Sequence, residues 1–161
     1  MAFEGRQIKG LHGRQILVHQ DFEKHMWKID EYAGQCNVEV LIVHAYRSSV
    51  NKLTNTIVEP AKYSNHEAGH AIDFNLKYKG DYYISTQLSK RKLKNQPQPI
   101  QDFILAVRGN PDLRWGGDFG TEDPVHIDFP LNIVNKTRWK ACEKECAADF
   151  SMRIPKWQFW K

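Results

Sequence analysis

Residues 70–76 read HAIDFNL, and the alternation in this stretch constrains the fold more than any other local feature. Ile72, Phe74 and Leu76 fall on one side of a period of two, and Ala71, Asp73 and Asn75 on the other. That is the pattern of a β-strand with one face in a core. The opposite face carries Asp73, so in a sheet this carboxylate looks into a site rather than into the interior.

The other elements arrange themselves around that strand. Phe22, Met26, Ile29 and Ala33 recur at helical spacing after Asp21, which predicts an amphipathic helix over 21–34 with Asp21 as N-cap and Gly34 helping to end it. Residues 38–46 (VEVLIVHAY) form a β-branched apolar run, hence a buried strand that delivers Arg47 and Ser48 at its end. A polar loop is expected from there to about Tyr63. KYKGDYYIS suggests a further strand or hairpin turning near Gly80, and SKRKLKNQPQP a solvated basic loop. A second helical stripe, Ile100, Phe103, Ile104 and Val107, is entered through Pro99 and stopped at Gly109, giving a helix over 99–109. Short strands are expected at 113–115 and 125–129, separated by a glycine-rich loop. Trp139, Cys142, Cys146 and Phe150 predict a third helix over 137–150 with both cysteines on its apolar side, where a Cys-x-x-x-Cys pair can bind metal but packing as small core residues is favoured, and the aromatic tail beyond Pro155 is expected to pack on the body. The fold class is therefore α+β, a small antiparallel sheet flanked by helices.

At 161 residues, 41% apolar and 12% aromatic, the chain suits a single domain spanning 1–161. A net charge of +4 is far short of a nucleic-acid binder's footprint, although it favours a polyanionic partner. No stretch is long enough to span a bilayer, and the start lacks the apolar run of a secretory signal. Three cysteines are too few and too scattered for a disulfide framework.

Two segments, 64–73 (SNHEAGHAID) and 115–129 (WGGDFGTEDPVHIDF), together hold three histidines and six carboxylates. A catalytic zinc takes three N or O ligands from the protein and keeps one position open. His66, Asp73 and His126 supply that set as a close pair plus a distant third. A rival reading comes from His66-Glu67-Ala68-Gly69-His70, which spells the H-E-x-x-H of zincin proteases and would make His70 a ligand and Glu67 the base. That motif needs a helix, whereas Gly69 weakens one and the following residues alternate as a strand. His12, His19, His25 and His44 have no spacing that assigns them a role.

SNHEAGHAID resembles the Ser-x-His-x-x-Gly-x-Ala-x-Asp signature of the zinc D-alanyl-D-alanine carboxypeptidase and L-alanyl-D-glutamate endopeptidase family, which shares the hedgehog/DD-peptidase fold. Ser64, His66, Gly69, Ala71 and Asp73 match every fixed position. Asp123-Pro-Val-His126 resembles the second signature, an acidic residue three positions before the third ligand, and Tyr46-Arg47-Ser48 resembles the segment after the family's central strand. The three occur in the family's order.

The resemblance implies Zn2+ on His66, Asp73 and His126, Asp123 as general base, and Arg47 at the substrate carbonyl or a nearby carboxylate. Ser64, Tyr46, Trp115, Gly116 and Gly117 would stand on the substrate's side. Asp128 replaces the Glu often found after the third ligand, which would alter support for the metal. The implied substrates are peptidoglycan stem peptides, with action at the cell wall by a monomer. Delivery would come through phage lysis, a secretion system or a leader outside this stretch. Asp rather than Glu at 123, with the Trp-Gly-Gly-Asp-Phe text, points to an L-Ala-D-Glu endopeptidase of the phage endolysin type. The alternatives are a D-Ala-D-Ala carboxypeptidase or a non-catalytic, zinc-bearing binding domain of hedgehog type. Retention of ligands, base and Arg47 together favours an enzyme, antibacterial in the endolysin case.

Overall fold

The structure is a computed structural model, and it describes residues 1–49 and 63–153. The polar loop expected before Tyr63 lies largely outside these residues, as does the aromatic tail. The strands are β1 (Ala2–Phe3), β2 (Ile8–Gly10), β3 (Ile16–Leu17), β4 (Glu39–His44), β5 (Ala71–Tyr78), β6 (Asp81–Tyr83), β7 (Arg114–Trp115) and β8 (His126–Asp128). The helices are α1 (Glu23–Cys36), α2 (Ser85–Leu88), α3 (Lys90–Leu93), α4 (Gln98–Arg108), α5 (Leu131–Val134) and α6 (Lys136–Arg153). The fold is α+β.

β5 is the centre of the main sheet, whose order is β2-β4-β5-β8-β7, with β6 paired to the far end of β5. Ile72, Phe74 and Leu76 are completely buried on one face, while Asp73 and Asn75 on the other remain partly open. α1 and α4 cover the apolar face. Met26, Ile29 and Ala33 from α1 and Ile100, Phe103, Ile104 and Val107 from α4 are buried there, with the Phe74 and Phe103 rings 6.2 Å apart. Each fully buried aliphatic or Phe side chain of this kind contributes roughly 1.5–3 kcal/mol of transfer free energy.

The sheet is not wholly antiparallel, because β2 runs parallel to β4 with Lys9 opposite Leu41. A strand of three residues has too little pattern to be read from sequence, and this one is held partly by a distant group. The buried Asp30 on α1 accepts hydrogen bonds from the backbone N–H of Gln7 at 2.7 Å and of Ile8 at 3.0 Å.

Three local expectations need correction. Asp21 does not cap α1, which starts after Phe22 with no side-chain cap, because a 3-10 turn over Gln20–Phe22 precedes it. Gly34 does not end that helix either; the helix runs to Cys36 and is capped by Asn37, in the left-handed region at φ 57°. The basic stretch 89–99 is not a plain loop: it contains α3, anchored through the buried Leu93, and the start of α4, and α2 with its buried Leu88 precedes it. The hairpin at Gly80 does form: Tyr78 faces Asp81, and Lys79 and Gly80 both adopt positive φ (48° and 83°), the geometry of a tight two-residue turn.

α6 packs Trp139, Cys142 and Cys146 inward. The Trp139 indole N–H donates to the Ser64 carbonyl at 3.1 Å, and Trp139, Cys142 and Ala68 share a small apolar cluster. The helix thereby braces the turn that leads into β5. Among the described residues no helix is long and apolar enough to cross a membrane.

Candidate metal centre

The register of the sheet lines up chemistry in a row. Asp73 on β5 faces His126 on β8, and on its other side His44 on β4, next to an irregularity between Ile42 and His44. His66 reaches the same place from the turn before β5. In that turn the Ser64 carbonyl accepts from Glu67 N–H, the His66 carbonyl from Gly69 N–H, and the Asn65 carbonyl from His70 N–H, at 3.0, 3.1 and 2.8 Å. Gly69 at φ 68° lets the chain leave the turn as a strand. Single ligand atoms of His66, Asp73 and His126 all lie within 4.8 Å of one another.

Both imidazoles are fixed by what they touch on the far side. His66 Nδ1 is 2.8 Å from the Ala45 carbonyl, which only accepts, so the proton sits on Nδ1 and the Nε2 lone pair points towards Asp73 Oδ1 at 3.2 Å. His126 Nε2 is 3.1 Å from Asp128 Oδ2, leaving Nδ1 to face Asp73 Oδ1 at 3.3 Å. Asp128 is itself gripped by Arg114, which donates Nε and Nη2 at 2.9 and 2.7 Å, and by Asn65 Nδ2 at 3.0 Å. A metal-binding histidine wants this arrangement, with its outer nitrogen held by a carbonyl or carboxylate and its inner one free. The donor set, two inward imidazole nitrogens and one carboxylate, fits a zinc-class ion.

The electrostatics agree with a site built for a cation. Burial opposes the charge on Asp73, but the histidines around it, His66 foremost, hold its carboxyl well below the usual range. Burial likewise opposes protonation of His126, yet the bonds and charges of Asp128 and Asp73 outweigh it and raise the ring to about 10. Two carboxylates thus press positive charge onto this imidazole. A divalent ion on Nδ1 would answer the same demand.

Asp123 stands beside the triad. Its carbonyl accepts from His126 N–H at 3.2 Å, closing the turn that sets the two side chains three residues apart. Burial raises its carboxyl pKa, with His126 opposing and Asp73 adding to the rise. Gly116 makes this loop possible: a Cβ there would sit 2.1 Å from the Asp123 carbonyl oxygen and 3.0 Å from His126 Cβ.

The remaining predicted residues divide. Arg47 is close to the turn, with its N–H on the His66 carbonyl at 3.2 Å and Nη2 3.7 Å from Glu67 Oε1. Tyr46 is half-buried, edge-on to Phe150 at 5.4 Å. Ser64 lies inside the turn, its Oγ accepting from His66 N–H at 3.3 Å. Trp115 is 1% exposed, with its indole N–H on the Pro124 carbonyl at 2.8 Å, so it supports the loop from beneath rather than forming a cleft wall. Gly117 accommodates that ring, since a Cβ would fall 2.2 Å from it. His44, given no role from sequence, has Nδ1 3.7 Å from Asp73 Oδ2. Only its strand register reveals it.

The H-E-x-x-H reading fails on geometry. Residues 66–70 form turns rather than a helix, and His70 points away from the triad, with Nδ1 2.6 Å from the Ala68 carbonyl and its ring stacked 5.4 Å from His19. Burial holds His70 down at about 4, hence neutral, although the Ala68 carbonyl works the other way.

Residues 58–129 match the model of a family described as D-alanyl-D-alanine carboxypeptidase. No curated protein matches the chain. The matched stretch contains His66, Asp73, Asp123 and His126. It supports the zinc peptidase family and, in general terms, peptidase activity related to peptidoglycan; the family is zinc-dependent in general.

Proposed function

We propose that this chain, whose family match supports a zinc D-alanyl-D-alanine peptidase relationship, hydrolyses an amide bond in peptidoglycan stem peptides, most specifically the L-Ala-D-Glu bond. The observation that carries this reading is the convergence of one ring nitrogen from each of His66 and His126 on Asp73, with their outer nitrogens held by the Ala45 carbonyl and Asp128 and with Asp123 three residues before His126. A zinc-class ion held by His66, Asp73 and His126 would supply Lewis acidity and a nucleophile at neutral pH.

Asp123 takes the proton of the attacking water and returns it to the departing amine. A raised pKa suits both halves of that task, because a stronger base accepts the proton more readily and its conjugate acid still releases it. Arg47 brings permanent charge and fixed donors to the place where negative charge develops on the substrate, and Glu67 holds it there. Tyr46, Ser64, Gly116 and Gly117 shape and support the surroundings of the peptide. The Asp at position 123 and the Trp-Gly-Gly-Asp-Phe text favour the endopeptidase, whereas the description of the matched family favours a D-Ala-D-Ala carboxypeptidase as the second reading.

The deciding experiment is mass spectrometry of purified muropeptides incubated with wild type and Asp123→Ala, each with and without chelator. Cleavage between L-Ala and D-Glu, lost in the variant and in chelator, is the expected result. Release of terminal D-Ala instead selects the carboxypeptidase, and no cleavage by metal-loaded wild type overturns the enzymatic reading.

A further inference from the structure

A second set of donors converges where the N-terminal segment, the end of the turn before β5 and α6 meet. His19, Asp21, His70 and Cys142 each offer one ligand atom, and these atoms all lie within 4.8 Å of one another. Two histidines and the cysteine are buried, while Asp21 reaches solvent. We propose that this cluster is a second metal site, for a zinc-class transition ion, closed by four protein ligands and structural in role.

The ring orientations support it as they do at the first centre. The Ala68 carbonyl fixes the His70 proton on Nδ1 and leaves Nε2 as the ligand atom. His19 Nε2 is bonded to the Glu145 carboxylate, and its Nδ1 stands 3.8 Å from Asp21 Oδ2. That is the carboxylate–imidazole–metal arrangement in which an outer carboxylate orients the ligand. Cys142 Sγ lies 3.9 Å from Asp21 Oδ2.

Charge and donor softness select the ion. One carboxylate and one thiolate with two neutral imidazoles balance a dication. Sulfur and nitrogen donors disfavour magnesium and calcium, which want oxygen. Four protein ligands leave no open position, as in structural rather than catalytic zinc sites. Weaker donors now hold the same lone pairs: the Asp21 N–H lies on His19 Nδ1 at 3.0 Å, and Arg138 Nε and Nη2 lie on Asp21 Oδ2 at 3.1 and 2.7 Å. An ion would displace the amide, and Arg138 would remain as outer support on the carboxylate.

Such an ion would pin three segments far apart in sequence. The His19 N–H already bonds the Gly69 carbonyl at 3.0 Å, so an occupied site would stiffen the far end of the turn that carries His66 and tie α6 to it. The site stands independently of the peptidase reading, because the triad of His66, Asp73 and His126 contains no sulfur.

The test uses that difference. The full chain is stripped and reloaded with cobalt(II), then read for the near-ultraviolet thiolate-to-cobalt charge-transfer band and for metal content per chain. The expected result is a sulfur band with two ions per chain in wild type. Cys142→Ala, checked for folding by circular dichroism, should lose the band and keep one ion, while His66→Ala should keep the band. His70→Gln serves as a second probe of the same site and should weaken the band. Cobalt-saturated wild type without a sulfur band, or a band that survives in Cys142→Ala, overturns the proposal.

Discussion

Replacing Asp128 by Asn tests whether His126 binds metal through Nδ1. Asp128 is 2% exposed and accepts from His126 Nε2, Arg114 Nε and Nη2, and Asn65 Nδ2. Burial disfavours its charge, yet His126 and Arg114 hold its pKa at about 2 against an ordinary 3.8. That difference corresponds to about 2 kcal/mol in favour of the carboxylate. The larger rise of His126 includes its contact with Asp73, which an ion on Nδ1 would replace, so the figure from Asp128 is the one that bears on stability. Because the folded value lies below the ordinary one, the contribution is present above about pH 4 and lost as pH falls towards about 2. Urea unfolding of metal-free Asp128→Asn should therefore show a loss of about 2 kcal/mol at neutral pH and convergence with wild type in acid. Chelator competition should show metal affinity falling roughly 10–100-fold, since the imidazole loses its orienting carboxylate. Wild-type affinity in a folded Asp128→Asn protein would refute the assignment of Nδ1 as the ligand atom.

The same geometry sets three other expectations. Glu67→Gln should reduce muropeptide turnover by less than about tenfold, because it only loosens Arg47, whereas a general base removed costs roughly 10²–10⁴; turnover assays at saturating substrate separate the two. Gly69→Ala should destabilise the fold by roughly 3 kcal/mol, since the residue sits at φ 68° and a Cβ would meet His19 N at 2.5 Å; denaturant titration reads it. If Asp123 is the group that takes the water's proton, the acid limb of kcat/KM reports its ionisation in the metal-loaded enzyme and should vanish from the residual activity of Asp123→Asn, read from a pH–rate profile of both proteins.

Much of the centre was legible because its residues sit on regular local patterns. Asp73 is legible because the alternation of β5 puts it on the face away from the core, and the spacing of His66 and His126 from fixed neighbours carries the rest. What stayed hidden depends on register and on distant contacts. His44 meets Asp73 only because β4 pairs with β5 across an irregularity, and no pattern in residues 38–46 encodes that pairing. β2 is held by its pairing with β4 and partly by the Asp30 carboxylate, a polar group on a helix face whose target lies 22 residues away in sequence. Trp115 sits next to two glycines in a loop that looks like a cleft wall, yet its indole points down to the Pro124 carbonyl.

The five residues from His66 to His70 show how one stretch can spell a motif and fold against it. In a helix, positions i and i+4 share a face, and both imidazoles would meet one ion. Here Gly69 at φ 68° turns the backbone between them, so His66 faces Asp73 while His70 faces His19 and Cys142. The left-handed residue that excludes the zincin site is therefore also what divides the histidines between two donor clusters. Its carbonyl receives the His19 N–H and its missing side chain admits His19 and Cys146 Sγ to close approach. A larger residue at 69 would disturb both clusters at once, so metal binding at the triad and at the sulfur-containing cluster should be lost together in Gly69→Ala, whereas Cys142→Ala should uncouple them.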